Sequence, residues 1–130
     1  MKHKPLIVVV DDDQSVREAL ENLMSSVGFE VELFASAEDF LDSDTPLQTD
    51  CAILDVRLPG ISGLELQQRL TTNGQSIPVV IITAQGDDTT HDKAVAAGAI
   101  AFLKKPVKEE VLLATLESAL KRKAGDELVS

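Results

Sequence analysis

The stretch VVVDDDQSVREAL, Val8 to Leu20, decides the fold. An uninterrupted apolar run, Leu6 to Val10, stops at three consecutive carboxylates, and a pattern at helical spacing starts at once behind them. A continuous β-branched run is what a strand covered on both faces looks like, and such strands belong to parallel sheets. Three carboxylates at the end of a buried strand repel one another and resist losing their water. They are tolerated if they cap the helix that follows or if a cation joins them.

The same alternation continues outward. Val16, Ala19, Leu20, Leu23, Met24 and Val27 recur at helical spacing, with Gly28 as a stop. Val31 and Leu33 alternate with Glu30 and Glu32, which predicts a second strand to about Phe34. Ser36 opens a short helix carrying Ala37, Phe40 and Leu41, and the polar stretch around Pro46 reads as loop. Cys51 to Leu54 is a third strand ending at Asp55; RLPGISG is a loop; Leu64 to Leu70 is a helix. Val79 to Ile82 is a fourth strand ending at Thr83. Asp88 to Ala97 is a weak helix stopped by Gly98, Ala101 to Leu103 a short strand, and Glu109 to Leu120 a helix followed by the polar KRKAGDELVS.

Strand and helix thus alternate five times. That pattern predicts an α/β fold, a flavodoxin-like doubly wound (βα)5 sheet in the order 2-1-3-4-5, whose ligands bind at the carboxyl ends of strands 1 and 3. Residues 1–122 form one domain in this reading, and 123–130 are a polar tail or the start of a linker.

Composition narrows the function. The chain has 130 residues, 44% of them hydrophobic and 26% charged, which suits one globular domain with a real core. With 12 basic against 22 acidic side chains, net −10, it lacks the positive footprint that nucleic acid or an anionic membrane needs. Aromatics are only 3%, so base stacking has little to work with. The lone Cys51 lies in an apolar run and reads as a core thiol. The apolar run near the N-terminus is too short for a signal peptide or a span, so the cytoplasm is the expected compartment. His3 and His91 lack metal-spaced partners and read as solvated, and Lys121-Arg122-Lys123 read as cations at a helix C-terminus.

The topology gathers a constellation. Asp11, Asp12 and Asp13 end strand 1, Asp55 ends strand 3, Thr83 ends strand 4, and Lys104-Lys105-Pro106 follow strand 5. Oxygen donors without a His or Cys cage suit Mg²⁺ or Mn²⁺. A carboxylate, a hard cation, a hydroxyl and an ammonium together make a phosphoryl site, with an Asp as nucleophile. Asp13 is the one of the three best read as a plain cap, and Lys104 as a surface lysine.

Four segments, VVVDDD, ILDVRLPGISG, VVIITA and FLKKP, resemble in order and spacing the receiver domains of bacterial two-component response regulators. SVREALENLMSSVGFEVELFASAEDFL and TAQGD resemble most the FixJ group of LuxR-type regulators. The resemblance implies Asp55 as phosphoacceptor and metal ligand, Asp11 and Asp12 as the acidic metal-binding pair, and a backbone carbonyl from Arg57 on the metal. It implies Thr83 and Lys105 on the phosphoryl oxygens, Thr83 and Phe102 as switch residues, and a cis Lys105–Pro106 bond. It also implies a sensor histidine kinase as partner, self-catalysed phosphotransfer with slow dephosphorylation rather than enzymatic turnover, and a homodimer through the helix 4–strand 5–helix 5 face. The implied output is transcriptional, through a DNA-binding domain outside this chain; a stand-alone receiver acting on a protein partner is the alternative. Val107, where the family usually has Phe, and DDTTHDKAV, a more polar helix 4 start, depart from the pattern.

Two rivals differ in kind. A phosphohydrolase of the haloacid dehalogenase type would use Asp11 as nucleophile with Asp13 and Ser15. The chain is short for that class, Asp55 would have no role, and Asp87-Asp88 precede Lys105 where that class needs the reverse. A phosphate-independent docking module would not require the whole constellation.

Overall fold

The computed structural model describes residues 4–43, 48–72, 77–84, 88–96 and 98–129, with the backbone alone at 88–90 and 122–129. The elements are β1 (Leu6–Val10), α1 (Gln14–Ser26), β2 (Glu30–Phe34), α2 (Ala37–Asp42), β3 (Cys51–Asp55), α3 (Gly63–Thr72), β4 (Val79–Thr83), α4 (Asp88–Ala96), β5 (Ala101–Lys104) and α5 (Glu109–Val129). The strands pair in parallel in the order β2-β1-β3-β4-β5, as the alternation predicts.

Side chains alternate across a strand, so one apolar run feeds two cores. Ile7, Val9, Cys51, Ile53, Val80 and Ile82 pack on Leu20 and Met24 of α1 and on Leu112, Leu116 and Ala119 of α5. Val8, Val10, Ala52, Leu54 and Ile81 pack on Ala37 and Phe40 of α2, Leu66 and Leu70 of α3 and Ala94 of α4. All residues of β1, β3 and β4 are buried, whereas β2 shows Glu30 and Glu32 to solvent as an edge strand can. Cys51 is a buried free thiol, and Val107 packs against the α1–α5 core.

Asp13 caps α1, its carboxylate accepting from Ser15 N at 2.8 Å and Val16 N at 3.4 Å. Gly28 follows the end of α1 at φ 88°, the left-handed conformation that glycine adopts without a Cβ clash. Ser36 caps α2, accepting from Asp39 N.

Three boundaries differ from the sequence reading. Gly63, read as loop, is the first residue of α3. Lys104 belongs to β5. The last helix does not stop at Leu120 but runs to Val129, so 123–130 is not a separate tail up to that residue. Lys121, Arg122 and Lys123 then lie inside α5 and not at its C-terminus. The physical reason is composition: Lys, Arg, Ala, Glu and Leu are good helix formers, and Gly125, at about 1 kcal/mol, is the strongest opponent among them. His3, the Pro46 loop, Asp87 and Ala97 lie outside the described residues.

Because Asp13 alone of the three carboxylates is the cap, Asp13→Ala should lower stability by about 1 kcal/mol in urea unfolding with EDTA. Asp12→Ala should leave it unchanged or raise it.

Candidate functional site: an acidic pocket at the carboxyl edge

In a parallel sheet every strand ends at the same edge. Val10 of β1 is in register with Leu54 of β3, which brings Asp11 beside Asp55, one residue further along each strand. Asp55 is in register with Ile82, and Thr83 with Lys104. The Lys105 N–H donates to the Thr83 carbonyl at 2.8 Å, which seats Lys105 over that edge. The Lys105–Pro106 bond is cis, as expected from the resemblance.

The three neighbouring carboxylates of the opening motif do three things. Asp11 is fully buried, and its Oδ1 accepts from Asp13 N at 2.9 Å. Asp12 is exposed, and Asp13 is spent on the cap. Ligand oxygens of Asp11, Asp12 and Asp55 all lie within 4.8 Å of one another. Lys105 Nζ donates to Asp55 Oδ2 at 2.9 Å and forms an ion pair with Asp11 Oδ2 at 2.8 Å. Asp55 Oδ1 accepts the Arg57 N–H at 3.0 Å. Thr83 is fully buried at the end of β4.

Burial pushes the Asp55 carboxyl above the usual carboxylate range. The Lys105 hydrogen bond and the Arg57 N–H oppose that rise, and the Asp11 charge adds to it. Burial works to lower the Lys105 ammonium, but Asp11 and Asp55 outweigh it and its pKa is raised. The pocket therefore holds a carboxylate penalised for its charge next to a lysine locked in its cationic form.

The residues fit a hard divalent cation. All donors are oxygens, three carboxylates converge, and the buried Asp11 Oδ2 has the Lys105 ammonium as its one partner among the described residues. A cation there would offset the burial, and after it the Asp11 charge, that raise the Asp55 pKa.

Two residues that the sequence reading passed over shape the pocket. Arg17 Nη1 donates to the Asp11 carbonyl at 2.7 Å, so α1 reaches back to hold the turn that carries the acidic motif. A cation six residues after Asp11, on the helix the motif opens, was the available signal. Gly63 is the second. A Cβ there would collide with the Asp55 carbonyl oxygen, so only glycine lets α3 start against the Asp55 backbone. Nothing local in the sequence distinguishes such a glycine from loop punctuation.

Phe102 is partly buried in β5, packs against the α2–α3–α4 core, and meets the exposed His91 ring edge-on at 5.2 Å. His91 is thus a neighbour of Phe102 and not simply solvated. Lys104 is exposed, as expected. The hydrolase rival loses its second carboxylate, because Asp13 is turned into the cap of α1.

Residues 7–117 match the response regulator receiver domain family, and the chain belongs to that family. It is 46% identical over 116 residues to the response regulator protein TmoT of Ectopseudomonas mendocina, covering 89% of this chain and 53% of that one. It is 39% identical over 122 residues to the transcriptional regulatory protein FixJ of Bradyrhizobium diazoefficiens, covering 94% and 60%. The solved structure of the response regulator StyR superposes with a TM-score of 0.89 at 49% identity, over 98% of this chain and 64% of that one. The chain spans about half the length of the curated relatives it matches. Receiver domains are signalling proteins and not enzymes of the usual kind, and they bind Mg²⁺ at an acidic pocket.

In EDTA at pH 7, Asp55→Asn should melt at a higher temperature than wild type, because it removes a carboxylate whose charge the fold penalises. The sign follows from the raised pKa. The folded state takes up its proton before the unfolded state as pH falls, so the penalty on wild type fades as pH falls through the folded pKa, and the gap should close. Thermal melts across pH 7 to 4 read both. Gly63→Ala should cost about 1–3 kcal/mol by overpacking against Asp55, and should also reduce the rise in melting temperature that Mg²⁺ gives wild type.

Proposed function

We propose that this chain is the phosphorylation-controlled switch of a two-component system, with Asp55 as the phosphoacceptor. The observation that carries the reading is the Lys105 ammonium held between Asp11 and Asp55 at 2.8 and 2.9 Å, with Asp12 beside them at the sheet edge. Mg²⁺ would be held by Asp11, Asp12, Asp55 and the Arg57 carbonyl, and it supplies neutralisation of the charge that gathers around the transferring group.

The chain's own groups do the rest. A sensor histidine kinase presents phosphohistidine. An Asp55 carboxylate oxygen attacks phosphorus in line; the new P–O bond forms as the P–N bond to the imidazole breaks, and the imidazole leaves with the electron pair. Lys105 releases Asp55 and turns its ammonium to a phosphoryl oxygen. The Thr83 hydroxyl donates to another. These two pulls, on the ends of β4 and β5, bias a two-state surface that includes Phe102. Water attacking the acyl phosphate reverses the change slowly.

The output is transcription, through a DNA-binding domain outside this chain. Relatives that extend well beyond the matched region and carry the name transcriptional regulatory protein support it. The signalling face is α4–β5–α5, where Val95 and Val111 are 53% and 44% exposed, and on phosphorylation it joins two copies. No described helix is long and apolar enough to cross a membrane; the compartment we propose for the switch is the cytoplasm.

Intact mass after incubation with acetyl phosphate tests the reading. Wild type with Mg²⁺ should gain one phosphoryl group; wild type with EDTA and Asp55→Asn with Mg²⁺ should gain none. A gain that survives in Asp55→Asn would overturn it.

A further inference from the structure

The side chain of Gln67 serves neither the acidic pocket nor a normal core. It lies within α3 and is 2% exposed. A buried amide needs partners at both ends. Its Nε2 donates to the Ala94 carbonyl of α4 at 3.4 Å, the long limit of a hydrogen bond. Its Oε1 has no hydrogen-bond partner among the described residues.

The surroundings make that contact matter. The Ala94 carbonyl also accepts the Ala99 N–H at 3.0 Å, the bond that closes α4. Ile100 N–H then donates to Val79 and leads the chain into β5 and Phe102. Ala94 is the one buried side chain among residues 91–96 of α4, so those residues anchor the helix through a single small side chain. At the other end of the relay, Gly63 sits so tightly on the Asp55 carbonyl that a Cβ would collide with it. Gly63 and Gln67 are four residues apart and share one face of α3. One rigid helix therefore abuts the Asp55 backbone and, a turn later, reaches the closing carbonyl of α4.

We propose that Gln67 is a positioning residue that couples the state of Asp55 to the seat of α4, a deepening that rests on the phosphoacceptor reading above. One long hydrogen bond ties Gln67 to α4 where it is, and the unpartnered oxygen penalises that arrangement. When phosphoryl transfer re-seats α4, the amide completes its bonding, so Gln67 favours the switched state. An apolar side chain of similar size would relieve the resting state and give the switched state nothing. Such a variant is more comfortable at rest and harder to switch.

The test uses beryllofluoride as the phosphoryl mimic, titrated with Mg²⁺ into wild type, Gln67→Leu and Gln67→Met, following amide NMR shifts at Ala94 and Ala99; Mg²⁺ alone and thermal melts serve as controls. Both variants should melt at or above wild type and bind Mg²⁺ alone normally, since Gln67 does not touch the pocket. They should bind beryllofluoride about 2- to 30-fold more weakly, the size of effect that single residues on a coupling path have. Unchanged or tighter beryllofluoride binding in a folded variant overturns the proposal, as does a loss of Mg²⁺ binding in equal proportion. If wild type itself does not bind beryllofluoride, the phosphoacceptor reading fails and this inference falls with it.

Discussion

The Lys105 ammonium between Asp11 and Asp55 is the interaction on which the rest of the pocket depends. Two buried carboxylates with a third at their rim would otherwise repel in a medium that screens poorly. Lysine is a compact charge on a flexible stem, so it can neutralise two carboxylates at rest and still move to a third acceptor. Burial holds the Asp55 pKa up against the opposing hydrogen bonds of Lys105 and Arg57, so its charged form stays penalised at rest. That residue of unfavourable charge is what gives the site an appetite for a cation and for a group that brings its own bonding partners.

The parallel sheet is what makes such crowding affordable. Its buried strands deliver their C-terminal residues to one edge without side-chain freedom, because each strand is fixed by two neighbours and two layers of helix. Asp11 and Asp55 cannot drift apart without breaking that register. The helices are not held equally. α1 and α5 bury several large side chains, whereas α4 offers Ala94 alone among its described residues. An element anchored by one small side chain among its described residues, beside a site held rigidly, suits a two-state switch.

The apolar runs and their punctuation determined the fold class, the strand order and the core strands, since continuous β-branched runs alternating with helical patterns admit few other topologies. Asp11, Asp12, Asp55, Thr83 and Lys105 were legible as candidates for one further reason: each stands at or just past the end of a run. The end of α5 was misread, because a polar sequence of good helix formers looks the same whether it continues a helix or leaves it. Asp13 was legible as the helix cap, and only the tertiary structure decided how the other two divide their work, with Asp11 buried and Asp12 at the rim. It alone showed the approach of Gly63 to the Asp55 carbonyl, the return of Arg17 to Asp11, and a buried Gln67 reaching α4. Those contacts join residues distant in the chain or depend on the direction of one bond, and a pattern of residue types along the sequence carries neither.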